Sequence, residues 1–197
     1  MPSFPFPPRY FTGANRYQLG ILIGLVSIVI FFAALILAFA LVIRHQPSTF
    51  RIVLPPILWF STATLLVSSA TFEAARYSLW RARLVAYRRR LLLTLVLGIL
   101  FLVCQLVSWR QLVSQGIGLE SDARGSAFYV FTTVHGLHLL GGALGLWYVF
   151  RRAEGLESTS ESALRRQRRI TGAVNLYWHS MGLLWLILFA LLIRWTR

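Results

Sequence analysis

Apolar residues run along this chain in five long blocks, with neither the strict alternation of strands nor the narrow stripe of a surface helix. Residues 17–43, 52–72, 91–109, 126–150 and 170–193 contain no Asp, Glu, Lys or Arg. A helix needs about 20 apolar residues to cross roughly 30 Å of hydrocarbon, so each block predicts a membrane span. Inside lipid every backbone group must be hydrogen-bonded by the segment or its neighbours, which leaves a helix bundle or a closed barrel. The blocks do not alternate, and that excludes the barrel. The predicted fold class is all-α, an integral membrane bundle of five transmembrane helices, with residues 17–197 as one membrane domain.

Little chain remains for anything else. The longest connection expected, residues 151–169, is 19 residues long, and the chain is 57% hydrophobic and 13% charged. Gly116, Gly118 and Gly125 punctuate the link between the third and fourth spans. Glu157, Glu161 and Arg165 recur at helical spacing in the next link and suggest a short surface helix there. No internal repeat is visible.

Charge then orients the bundle. The formal net charge is +14, all 20 basic residues are Arg, and there are 6 acids. With the N-terminus placed on one side, that side collects fourteen Arg, including 76, 81, 83, 88, 89 and 90 in one connection and 151, 152, 165, 166, 168 and 169 in another, against six on the opposite side. The positive-inside bias therefore predicts a cytoplasmic N-terminus and an external C-terminus. The Arg clusters border membrane spans with no soluble fold to present them, which points to anionic phospholipid head groups and away from nucleic acid.

Residues 1–16 read as a Pro-rich cytoplasmic N-terminal segment, Met1-Pro2-Ser3-Phe4-Pro5-Phe6-Pro7-Pro8 leading it. It lacks the basic n-region of a signal peptide, and the apolar run before Ala38-Phe39-Ala40 is about twice the usual length of 7 to 15 residues, so the first span is expected to be an uncleaved anchor. Cys104 is the single cysteine, which rules out an internal disulfide or a CxxC pair.

The candidate chemistry lies in polar residues at membrane depth. His135 and His138 are three apart and share a face of the fourth span, where Gly136, Gly141, Gly142 and Gly145 would let a neighbouring helix approach. His179 belongs to Tyr177-Trp178-His179 in the fifth span. At 1.5 Å per residue, His138 lies about 19 Å from one end of its span and His179 about 14 Å from the opposite end of its own, nearly the same depth in a core of about 30 Å. Two imidazoles at one depth could ligate a haem and three a metal. Alternatively, neutral histidines hydrogen-bond across helices and order the bundle, the reading favoured where no in-membrane carboxylate or fourth in-membrane histidine accompanies them. Gln105 falls late in the third span. Glu73, at the end of the second, has Arg76 at i+3 to satisfy it locally. Trp80, Trp109, Trp147 and Trp195 fall near span ends, as an interfacial aromatic belt would. No Ser/His/Asp set, phosphate loop or Cys cluster is present.

Gly125-Ser126-Ala127-Phe128-Tyr129-Val130 leading into Thr133-Val134-His135-Gly136-Leu137-His138, then Tyr177-Trp178-His179 and Trp185-Leu186, resembles subunit III of the haem-copper cytochrome c and quinol oxidases. Leu54-Pro55-Pro56 with Trp59 and Gln105 fit the same pattern, so the resemblance runs from about Arg16 to the end of the chain. It implies a non-catalytic accessory subunit of a proton-pumping terminal oxidase in a bacterial cytoplasmic (inner) membrane. Such a subunit packs against subunit I, with subunit II and phospholipids as further partners. It carries no haem, copper or other cofactor or metal of its own, and supports assembly, lipid retention and sustained proton uptake. His135, His138, His179, Gln105 and Glu73 are then structural interhelical residues with no catalytic role.

Three departures from the family pattern stand out. The chain resembles the short form without the first two of seven helices. The family's Ser-Glu-Val reads Ser27-Ile28-Val29, and its Trp-His-Phe-Val-Asp reads Trp178-His179-Ser180-Met181-Gly182, so both carboxylates are replaced. The alternatives are an accessory subunit of a nitric oxide reductase-type system and a haem- or quinone-binding membrane cytochrome.

Overall fold

Apolar blocks of this length fold as helices, and five are found: α1 (Arg16–His45), α2 (Ile57–Trp80), α3 (Leu84–Ser114), α4 (Ala123–Glu154) and α5 (Glu161–Thr196). The computed structural model describes residues 16–45, 53–119, 123–156 and 160–196. All five helices are long and apolar enough to cross a membrane. The Pro-rich lead 1–15 and Glu157 lie outside the described residues, and Arg16, assigned to the lead by sequence, opens α1.

The helices differ from the expected spans at their ends, for local reasons. The second span was expected from residue 52, but residues 53–56 are not helical and Pro56 is the N-cap of α2. Two consecutive prolines supply no backbone N–H and disfavour helix in the residue before each. At the arginine-rich end α3, α4 and α5 run past the apolar blocks. Arg88 explains part of this: its Nε and Nη2 donate to the carbonyls of Ala153 (2.6 Å) and Leu156 (3.0 Å), where α4 ends. The expected surface helix around Glu161 and Arg165 is instead the first turn of α5, with the two side chains ion-paired at 3.2 Å.

Turn geometry closes two of the hairpins. After α3, Gly116 has φ 77°, its N–H donates to Val113 O, and Ile117 N–H reaches back to Leu112 O. That is a Schellman cap, with Leu112 and Ile117 both buried. The same pair of bonds ends α2, Ala82 N–H to Leu79 O and Arg83 N–H to Ser78 O, with Ala82 at φ 54°. Gly125, expected in the link, lies within α4.

Helices α2, α3, α4 and α5 form a ring in which each packs on the next and α5 closes on α2, while α1 lies outside against α4 and α5. Among the described residues of α1, only Leu25 and Phe32 are buried. Trp178 and Trp185 of α5 are fully buried at the centre of the ring. Around them run hydrogen-bonded polar rungs. Tyr87 OH is 2.6 Å from Thr171 Oγ1 and accepts from Gln167 Nε2 at one end. Trp185 Nε1 donates to Thr62 Oγ1 at 3.0 Å and Trp109 Nε1 to Thr132 Oγ1 at 2.9 Å towards the other.

Candidate functional site

The five residues singled out by sequence fall into three separate environments. His135 lies wholly inside the bundle, flanked by the rings of Trp185 at 5.2 Å and Phe101 at 6.0 Å between centroids. Neither ring nitrogen has a hydrogen-bond partner among the described residues. Its ring neighbours are aromatic, Trp185 tilted at 34° to the imidazole and Phe101 edge-on at 80°. Gln105, one helix away, is tied across the bundle: Nε2 donates to Ser61 Oγ of α2 at 3.1 Å, while Oε1 is buried without a partner among the described residues.

His138 takes the outer side of the same helix. Its Nδ1 bonds the Val134 carbonyl one turn back at 2.8 Å, and its ring meets Phe32 of α1 edge-on at 5.5 Å. The interhelical hydrogen bond at this position uses the backbone, with Tyr177 OH donating to the His138 carbonyl at 2.9 Å. The ring of His138 therefore seats α1 by packing, and its carbonyl seats α5.

Glu73 and His179 come together on the flank between α2 and α5. Arg76 Nη2 lies 2.9 Å from Glu73 Oε1, and His179 Nε2 lies 3.6 Å from Glu73 Oε2. Arg76 Nη1 also donates to Asn175 Oδ1 at 3.5 Å, which turns the amide so that Nδ2 faces His179 Nε2 at 3.2 Å. With Nδ2 as the donor of that contact, Nε2 is its acceptor. A groove of about 200 Å³ runs on from His179 between Ser69 and Leu66 of α2 and Gly182 and Leu183 of α5. Asn175 was not singled out by sequence, although a polar side chain four residues before His179 in an apolar span was the available signal.

Of the glycines expected to admit a neighbouring helix, Gly142 does so: a Cβ there would lie 3.0 Å from Tyr177 Cε1 and 3.3 Å from Trp178 Cε3. Gly136, Gly141 and Gly145 have ordinary room, with nearest atoms at 3.6 Å or more. The closest approach belongs to Gly98 of α3, where a Cβ would lie 2.6 Å from Trp178 Cη2. Among the described residues no three His, Cys, Asp or Glu side chains gather into a metal-binding group.

Comparison with known families bears directly on this architecture. Residues 11–197 match the model of the family Cytochrome c oxidase subunit III. The chain belongs to that family. A probable cytochrome c oxidase subunit 3 of Nocardia farcinica is 31% identical over 187 residues, covering 89% of this chain and 86% of the relative. A probable cytochrome c oxidase subunit 3 of Mycobacterium bovis is 30% identical over 131 residues, 66% of this chain, and the chain spans only 62% of that relative's length. The cytochrome bo(3) ubiquinol oxidase subunit 3 of Pseudomonas aeruginosa is 26% identical over 163 residues, covering 81% of this chain and 76% of that protein. Subunit III relatives thus come from oxidases named for cytochrome c and for ubiquinol alike, and this chain is similar to both. Both histidine motifs and the buried Trp178 and Trp185 lie inside the matched region.

Proposed function

We propose that this chain is a non-catalytic accessory subunit III of a proton-pumping haem-copper terminal oxidase, supporting assembly and stability of the complex. Its partners are subunits I and II and surrounding phospholipids, and the haem and copper of O2 reduction reside on the partners. The observation that carries the reading is the family match over residues 11–197 on a bundle whose His135 and His138 rings are used in packing. His135, His138, His179, Gln105 and Glu73 act as interhelical contacts that fix how the helices meet. The complex sits in a bacterial cytoplasmic membrane with the arginine-rich end inside, in accord with the charge bias.

The test is a pull-down of the tagged chain from membranes in mild detergent, with partner identification and an optical spectrum of the eluate. The expected result is co-purification of a haem-copper subunit I whose haem signal disappears when the chain is isolated alone. Stoichiometric haem on the isolated chain would falsify this reading, as would co-purification with a nitric oxide reductase core.

A further inference from the structure

We propose that the flank where α2 meets α5 is the surface on which a transmembrane helix of a partner polypeptide docks, and that this helix presents a hydrogen-bonding side chain at the level of Glu73 and His179. The proposal rests on the reading of the chain as an oxidase subunit. It adds which face is covered and by what chemistry.

Depth carries the argument. Trp59 and Trp80, both exposed, mark the two ends of α2. They are separated by about 31 Å of helix rise, the thickness of the hydrocarbon layer. Glu73, the first charged residue beyond the uncharged block 52–72, lies about 10 Å short of Trp80. At this level the side chains of Glu73, Arg76 and His179 are 50%, 41% and 40% exposed. They open sideways, out of the bundle. Charged groups at such depth face a bundle interior or a water-filled cavity, because lipid tails offer no hydrogen bonds. The remaining described acids, Glu154 and Glu161, sit at helix ends where water reaches them.

The unmet valences define the occupant. Glu73 Oε1 is taken by Arg76, but Oε2 is 3.6 Å from His179 Nε2, beyond hydrogen-bond length, and remains an acceptor. His179 Nδ1 remains a donor when Nε2 accepts from Asn175. A hydroxyl, amide or guanidinium on a neighbouring helix answers one or both. The adjoining groove gives that helix a seat, since its floor is small: a Cβ on Gly182 would stand 3.4 Å from Ser69 Oγ, and Leu66 and Leu183 form the exposed lips. By contrast the outward faces of α1 and α3 present apolar side chains such as Val26, Ile30, Val96 and Ile99, which lipid alone satisfies.

A photo-crosslinking residue, p-benzoylphenylalanine, is placed at Leu66, at Leu183, or at Ile99 on the outward face of α3 as control. The intact complex is irradiated in its membrane, and adducts are mapped by mass spectrometry. Leu66 and Leu183 are expected to mark a transmembrane peptide of a co-purifying polypeptide with a polar side chain within one helical turn of the adduct, and Ile99 is expected to mark lipid. In parallel, Glu73→Ala should lower recovery of the partner several-fold and Glu73→Gln less, a larger change than either makes to unfolding of the isolated chain, where the Arg76 pair is half-exposed. Adducts of Leu66 and Leu183 with lipid only, with a wholly apolar span, or from Ile99 alone to the partner would overturn the docking surface while leaving the oxidase reading intact. Absence of any co-purifying core would remove both.

Discussion

The indole of Trp178 occupies the space that a side chain at position 98 would need: a Cβ built on Gly98 lies 2.6 Å from Trp178 Cη2 and 2.9 Å from Cζ2. The two residues are far apart in sequence, and their fit sets how closely α5 approaches α3. Trp178 is fully buried, so it has no free volume into which to swing. Gly98→Ala is therefore expected to destabilise the bundle by about 1–3 kcal/mol, the usual cost of overpacking. Gly136→Ala, whose nearest neighbour would be Leu102 at 3.9 Å, should be neutral or gain a few tenths of a kcal/mol in helix propensity. Thermal unfolding of the two variants in detergent checks the contrast, and equal effects would show that the Trp178 contact does not limit packing.

Ala82 offers a change in the opposite direction. It holds the C′ position of the α2 cap at φ 54°, a conformation that costs an L side chain roughly 1 kcal/mol and glycine almost nothing. It is also exposed, so no packing is lost on removing its methyl. Ala82→Gly should raise stability by up to about 1 kcal/mol after the added entropy of the unfolded glycine is offset. A lower unfolding temperature would mean that the turn relaxes out of the left-handed region in the membrane.

The Gln105 and Ser61 pair predicts an asymmetry. Gln105 donates to Ser61 Oγ, yet its Oε1 is buried with no partner among the described residues. Gln105→Leu removes a bond worth about 0.6 kcal/mol together with a buried unsatisfied oxygen, and should change stability by less than about 1 kcal/mol. Ser61→Ala strands the whole amide and should cost more, about 1–3 kcal/mol. Unfolding measurements that rank the two the other way would show that Oε1 is satisfied inside the bundle, as by a buried water.

These contrasts mark what the sequence could carry. The five spans were legible because uncharged blocks of 19 or more residues admit one fold class, and the motifs around His135, His138 and His179 placed the family. Helix ends were less legible. Whether Arg88 extends α4 by binding Ala153 and Leu156 depends on which helices are neighbours. The Gly98 and Trp178 fit was invisible for the same reason, since either residue alone is ordinary in a membrane helix. At the flank, Glu73 with Arg76 was readable from i, i+3 spacing, but the join to Asn175 and His179 exists only once α5 closes the ring on α2.

The fourteen to six division of arginines predicts the orientation. A reporter fused to the C-terminus should be active only outside the cytoplasm, and one fused to the N-terminus only inside. A cytoplasmic C-terminal reporter would mean either an even number of spans or an inverted bundle whose arginine-rich end faces away from the anionic inner leaflet.

Reactivity toward hydrophobic carbodiimides tests the carboxylate inventory. These reagents seek a protonated acid within the membrane, and the family's acid in the first of these spans is Ile28 here. α1 holds no acid at all. Position 182, an Asp in the family pattern, is a glycine standing 3.4 Å from Ser69 Oγ at its would-be Cβ, so no carboxylate replaces it on the facing side. Glu73 remains, and it carries its counter-ion, with Arg76 Nη2 at 2.9 Å. In the assembled complex the docked helix would also cover it. The subunit is therefore expected to resist labelling, and any inhibition of the oxidase by the reagent should map to another chain. Peptide mass spectrometry after treatment decides the matter. Modification of Glu73 in the intact complex would mean that the α2 and α5 flank is open to the lipid phase and that its carboxylate takes up a proton there, which neither the ion pair nor the docking surface allows.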